Sequence, residues 1–181
     1  MTQTDFDLRA LWEALDQQRR ARSMTWAAVA REVNRFVTVG HPMSASTISG
    51  LKEKPWAEGD GILQMLLWLG RTPESFVPDL AGGDAERFRL PEVAEDRILR
   101  WDTAALHGAM NAERNARGLT WQGVAHEIGG YTPGMLTRLA KGGRIGCPGV
   151  MRIVRWLGEP AARFTRAARR RLPFQSTDVG A

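Results

Sequence analysis

The chain has 181 residues, a hydrophobic fraction of 43% and a formal net charge of +5, enough material for one or two globular domains. Its longest apolar run, residues 62–70, is too short to cross a membrane and contains Gln64, and the polar, acidic start MTQTDFDLRA is unlike a secretory signal. A single cysteine, Cys147, excludes an internal disulfide or a cysteine metal cage, and three scattered histidines suggest no metal site or cofactor, so a reducing cytoplasm is the expected setting.

From the N-terminus, Asp7 is placed to cap a first helix, with Phe6 before it and Leu11 four residues after it as a hydrophobic staple. Thr25 starts a second helix, stapled by Met24 and Val29. After the stretch 34–43, Ser44 starts a third, with Met43 and Ile48 at the same spacing. A strongly apolar fourth helix, Ile62 to Leu69, stops at Gly70, and a fifth begins at Thr72-Pro73. Residues 81–99 have the Gly, Pro and acidic content of a linker, with RFRL (87–90) as an isolated extended segment. The series then recurs: Trp101-Asp102 with Leu106, Leu119-Thr120 with Val124, and Tyr131-Thr132 with Leu136. Pro133 takes a first helical position, where a missing N–H costs nothing. A fourth helix from Val150 to Leu157 ends at Gly158, a fifth follows Glu159-Pro160, and a tail occupies 173–181. No segment shows clear period-two alternation, so the expected class is all-α.

The recurrence is a tandem duplication. Residues 5–33 match 100–128 at an offset of 95, with Asp7/Asp102, Leu11/Leu106, Arg19/Arg114, Arg22/Arg117, Thr25/Thr120, Trp26/Trp121 and Glu32/Glu127 in register. Residues 61–76 match 149–164 at an offset of 88, pairing Gly61/Gly149, Trp68/Trp156, Gly70/Gly158 and Phe76/Phe164. The first copy therefore carries an insertion of seven residues near 34–43. The expected organisation is an N-terminal unit over 5–80, a linker over 81–99, a C-terminal unit over 100–172 and the tail. The recurring tryptophans read as packing residues, whereas Trp12 and Trp56 lack a counterpart and are candidates for partial exposure. Charge divides unevenly: residues 1–90 hold 11 Lys and Arg against 12 Asp and Glu, residues 91–181 hold 14 against 8. A basic half fits either a polyanionic partner or a solvated Arg-rich surface, and the Arg run at 169–171 is open to the same two readings.

Thr-Trp-x-x-Val-Ala-x-Glu from Thr120, the glycine turn EIGGYTP, Thr-Pro-x-x-Leu-x-x-Leu from Thr132, Gly-Gly and a helix ending Trp-Leu-Gly resemble the lambda-repressor/Cro-like (XRE) helix-turn-helix family. The likeness covers most of 101–165 and, more loosely, 6–77. The turn is one residue longer than the usual pattern, and Trp121 stands where many relatives have glutamine. The resemblance implies an all-α chain of two tandem five-helix helix-turn-helix domains. It implies a bacterial, cytoplasmic, nucleoid-associated transcription regulator whose partner is double-stranded DNA, rather than an enzyme. On that reading Leu136 and Leu139 face inward, and Thr132, Gly134, Thr137 and Arg138 reach the major groove, Arg138 facing a guanine. Gln122, Lys141 and Arg144 become phosphate contacts, with Ser46, Ser49 and Lys52 as weaker first-copy counterparts beside Glu53, Glu58 and Asp60. Two arrangements follow: one chain imitating a repressor dimer, or a homodimer whose C-terminal units read a palindrome. A different class is a protein-interaction adaptor of the antitoxin or phage-regulatory kind, in which Trp56 or Phe36 would matter more than Arg138.

Overall fold

A computed structural model of the protein describes residues 5–36, 42–54, 59–81, 83, 85–94 and 97–169. The fold is mostly helical with one small sheet. The first copy contributes α1 (Leu8–Ala21), α2 (Trp26–Val33), α3 (Ala45–Ser49) and α4 (Gly59–Leu69), closed by a 3-10 turn at Pro73–Phe76. A single helical turn, α5 (Ala85–Phe88), and strand β1 (Arg97–Trp101) lead into α6 (Thr103–Ala116), α7 (Trp121–Ile128), α8 (Pro133–Thr137) and α9 (Cys147–Leu157). A 3-10 turn at Ala161–Phe164 and strand β2 (Thr165–Arg169) end the described chain. Among the described residues no helix is long and apolar enough to cross a membrane, and no group of His, Cys, Asp and Glu is placed to hold a metal ion.

Helix starts follow the capping chemistry. The side chains of Asp7, Thr25, Ser44, Asp102, Thr120 and Thr132 each accept a hydrogen bond from the backbone N–H three residues on, satisfying a donor that the first helical turn leaves unpaired. Gly70 and Gly158 end α4 and α9 with φ of +65° and +68°. The two copies bury matching positions: Leu11 and Leu106, Val29 and Val124, Ile48 and Leu136, Leu51 and Leu139, Leu66 and Val154 are all nearly inaccessible. Each such side chain contributes about 1.5–3 kcal/mol by leaving water. The buried residues of both copies join in one continuous apolar cluster.

Three features depart from the all-α expectation. β1 and β2 form an antiparallel pair, Arg97 opposite Arg169 and Trp101 opposite Thr165, so the entry and exit of the second copy are sewn together. The extended segment is thus 97–101 rather than RFRL, whose first two residues, Arg87 and Phe88, belong to the α5 turn. An isolated strand would leave its N–H and C=O groups unpaired, and only 97–101 has β2 beside it. The fifth helix of each copy is a single 3-10 turn, after which Val77 and Thr165 turn extended. Arg169 consequently closes a strand instead of extending a helix, while Arg170, Arg171 and the tail lie outside the described residues.

The copies meet through equivalent helices, α4 and α9. Gln64 and Arg152 occupy equivalent positions on α4 and α9, and each reaches the segment that enters the other copy. Gln64 Nε2 donates to Leu99 O at 2.8 Å, and Arg152 Nε donates to Asp5 Oδ2 at 2.8 Å. This exchange of equivalent contacts is the logic of an isologous dimer interface, here within one chain. α4 also covers the outer edge of β1, where the Trp101 N–H donates to Asp60 Oδ1 at 3.0 Å. Arg155 pairs with Asp79 across the same boundary at 3.0 Å.

Glu74 is the unusual member of this interface. It is 1% exposed, its Oε1 accepts from the Ala161 N–H at 2.8 Å, and its Oε2 has no hydrogen-bond partner among the described residues. Burial pushes its carboxyl above the usual carboxylate range, only partly opposed by the bond from Ala161. Folding therefore favours the protonated form, and the associated stability fades as pH rises through the folded-state value. Glu74→Gln keeps an acceptor for Ala161 and removes the charge. It is expected to melt above the native chain at about pH 8, by about 1 kcal/mol or ~2–4 °C. The gap should narrow towards about pH 4, as calorimetry across that range would record.

Candidate nucleic-acid interface

The α7–α8 pair is held from behind by a network present in both copies. In the second, the Arg114 guanidinium lies over the Trp121 ring, 5.3 Å from its centroid, and donates to Leu119 O at 2.9 Å. Trp156 Nε1 donates to Glu127 at 2.8 Å, and Arg117 pairs with the same carboxylate at 2.8 Å. In the first, Arg19 lies over Trp26 and bonds Met24 O, while Trp68 and Arg22 converge on Glu32. The tryptophan hydrogen bond and then the arginine charge hold both glutamates below the usual carboxylate range. The recurring Trp, Arg and Glu positions thus fix how the helices pack. Trp12 also packs, stacking on Trp26 as its positional equivalent His107 stacks on Trp121.

From this base the chain turns through Gly129 and Gly130, with φ of +73° and +70°, into the Thr132 cap. α8 is short and tightens into a 3-10 turn over Arg138–Lys141. Leu136 and Leu139 are buried, while Thr132, Met135 and Arg138, spaced by three, lie on the exposed side. Gly134 is exposed, with no atom within 4 Å of where a Cβ would sit, so its backbone is open to close approach. Thr137 is half-buried, its hydroxyl donating to Gly134 O at 3.3 Å and so already engaged within α8. Met135, 39% exposed, was not singled out from the sequence, although its spacing from Thr132 and Arg138 marks it.

Charge follows the same face. Residues 128–158 contain five Arg or Lys and no Asp or Glu. Arg152 and Arg155 are neutralised by Asp5 and Asp79 of the first copy, and Arg144, though exposed, is engaged within the chain. Arg138 and Lys141, with Gln122 in the first turn of α7, are exposed and have no hydrogen-bond or ion-pair partner among the described residues.

The first copy does not reproduce this surface. Gly50 stands at the position of Arg138 and Glu53 at that of Lys141. The Ser44 hydroxyl is 2.8 Å from that of Ser46 and 2.9 Å from that of Thr47, and Ser49 donates to Ser46 O. The Lys52 ammonium sits over the Trp12 ring, 4.4 Å from its centroid. Its insertion is pinched at the base, where the Asn34 side chain donates to Met43 O at 2.7 Å and accepts from Met43 N–H at 2.9 Å. That clamp keeps α3 beside α2 despite the added residues. Residues 37–41 and 55–58, Trp56 among them, lie outside the described residues, as does the Phe36 side chain. Comparison of the chain with protein-family models, curated proteins and solved structures finds no match.

Proposed function

We propose that the chain is a sequence-specific double-stranded-DNA-binding regulator of transcription, with two tandem helix-turn-helix units of which the C-terminal one reads the sequence. The observation that carries this reading is the exposed guanidinium of Arg138, without a partner among the described residues, on a segment without a single acidic residue. Arg138 has the fork that binds guanine O6 and N7 together. Met135 and the Thr137 methyl provide apolar contact for a thymine methyl, and Thr132 and Gly134 let the start of α8 approach the base edges. Gln122 and Lys141 fit phosphates, which set register and carry no sequence information. Arg144 belongs with them only if DNA displaces its present contact.

With Gly50 and Glu53 in place of the arginine and lysine, the first unit serves chiefly to hold the second. The contacts between equivalent helices of the two units support one chain standing in for a repressor dimer, its two α2–α3 and α7–α8 pairs presented together and only the second reading sequence. Selection of bound fragments from a random duplex pool, followed by footprinting, tests this. The expected site is bound by one chain and carries its sequence information in one half. A palindrome bound by two chains would assign the dyad to a homodimer. Absence of any salt-dependent duplex binding would remove the DNA reading itself.

A further inference from the structure

Asn34 and Gly129 occupy equivalent positions at the ends of α2 and α7. In the first unit the Asn34 amide closes the turn towards α3 by bonding both backbone groups of Met43. Gly129 has no side chain with which to do the same. Its carbonyl is held instead by Arg152 Nη1, which donates to Gly129 O at 2.9 Å. Arg152 is in turn fixed by the Asp5 carboxylate, to which both Nε and Nη2 donate. The counterpart of Arg152, Gln64, bonds the carbonyls of Leu99 and Asp60 instead, while Asn34 and Met43 bond each other.

The fit around this relay is close. A Cβ on Gly130 would lie 1.8 Å from Arg152 Nη1, so the guanidinium rests directly on the turn. A Cβ on Gly149 would lie 1.9 Å from the Tyr131 hydroxyl, so the bare backbone of α9 leaves room for the ring that precedes the Thr132 cap. Burial pushes the Tyr131 phenol up to about 12, and the bond to Asp5 raises Arg152 above its ordinary value.

We propose that Asp5 of the first unit is a positioning residue for α8: through Arg152 it holds the Gly129–Gly130 turn, and so the aim of the helix that carries Arg138. The first unit thereby acts on DNA recognition without touching DNA. The inference rests on the DNA-binding reading, but its physical core is measurable without DNA. The turn lacks a closure of its own, so release of Arg152 lets it open locally while both cores stay folded.

The test is amide hydrogen exchange on the full chain, without DNA, for Asp5→Asn, Asp5→Glu and Arg152→Gln, the last installing the residue the first unit has. Asp5→Asn and Arg152→Gln are expected to speed exchange across 129–138 by about tenfold while leaving α1 and α6 at native rates, and Asp5→Glu to stay near native. Duplex binding by Asp5→Asn is expected to weaken at fixed salt with an unchanged salt slope, because no phosphate contact is lost. Native exchange over 129–138 in Asp5→Asn overturns the inference. So does acceleration spread evenly through both units, which would make Asp5 a contributor to global stability alone, and so does unaltered DNA binding despite a loosened turn. If the native chain binds no duplex, the DNA reading falls separately, and the exchange data still decide whether Asp5 holds the turn.

Discussion

Arg138→Ala is expected to cut the preference for the selected site over random duplex sharply while leaving the fold intact. A bidentate arginine–guanine contact discriminates by about 1–3 kcal/mol, or roughly 5–150-fold in relative affinity. The side chain is exposed and has no partner among the described residues, so its removal should move stability by no more than about 0.5 kcal/mol. Arg138→Lys sharpens the test, since it keeps the charge and loses the planar fork; its specificity should resemble that of the alanine variant. Lys141→Ala should instead weaken all duplexes alike and lower the salt slope by about 1. Arg31→Ala, on exposed first-unit surface, is the tolerated control. Gel shifts with selected and scrambled duplexes at two salt concentrations separate these outcomes. An Arg138→Ala protein that still ranks sequences as the native chain does would show that α8 is not the reader.

Leu99→Ala is expected to cost about 2–5 kcal/mol, which in a chain of this size lowers Tm by roughly 10 °C. Leu99 is fully buried in β1, its carbonyl is held by Gln64 of the first unit, and its strand partner is Ala167 of the second. Truncation there leaves a cavity where the two units share apolar surface. Both units should therefore lose stability together, and melting followed by tryptophan fluorescence and by circular dichroism should give one coincident transition. Trp12 and Trp26 report on the first unit, Trp121 and Trp156 on the second. Two separated transitions, with the first unit unaffected, would show that the units fold independently and that their interface adds little.

Much of the fold was legible because it is local. A cap bonds an N–H three residues away, a staple joins residues five apart, and a left-handed glycine ends a helix whatever surrounds it, so Asp7, Thr25, Thr120, Thr132, Gly70 and Gly158 could be placed before any coordinates. The duplication needed only register, and it paired Arg19, Trp26, Glu32 and Trp68 with Arg114, Trp121, Glu127 and Trp156 and marked the tryptophans as packing residues; that each set joins in a network was seen only in the structure. The exposure of Thr132 and Arg138 over buried Leu136 and Leu139 followed from helical spacing.

The sheet was not legible. Ile98 and Leu99 are adjacent and both buried, because β1 is covered on more than one side, and this erases the alternation that announces a half-exposed strand. RFRL has no partner strand among the described residues. Only the folded chain could bring Asp5 to Arg152, 147 residues away, or Glu74 to Ala161, 87 residues away. Sequence by itself determined where the side-chain-capped helices start, where α4 and α9 stop and which leucines of α8 turn inward, since those choices are settled within a few residues. Tertiary structure alone decided how the two copies lean on each other and that Asp5 meets the arginine bonded to the turn before α8, because a contact across such distances depends on three-dimensional placement that no local pattern encodes.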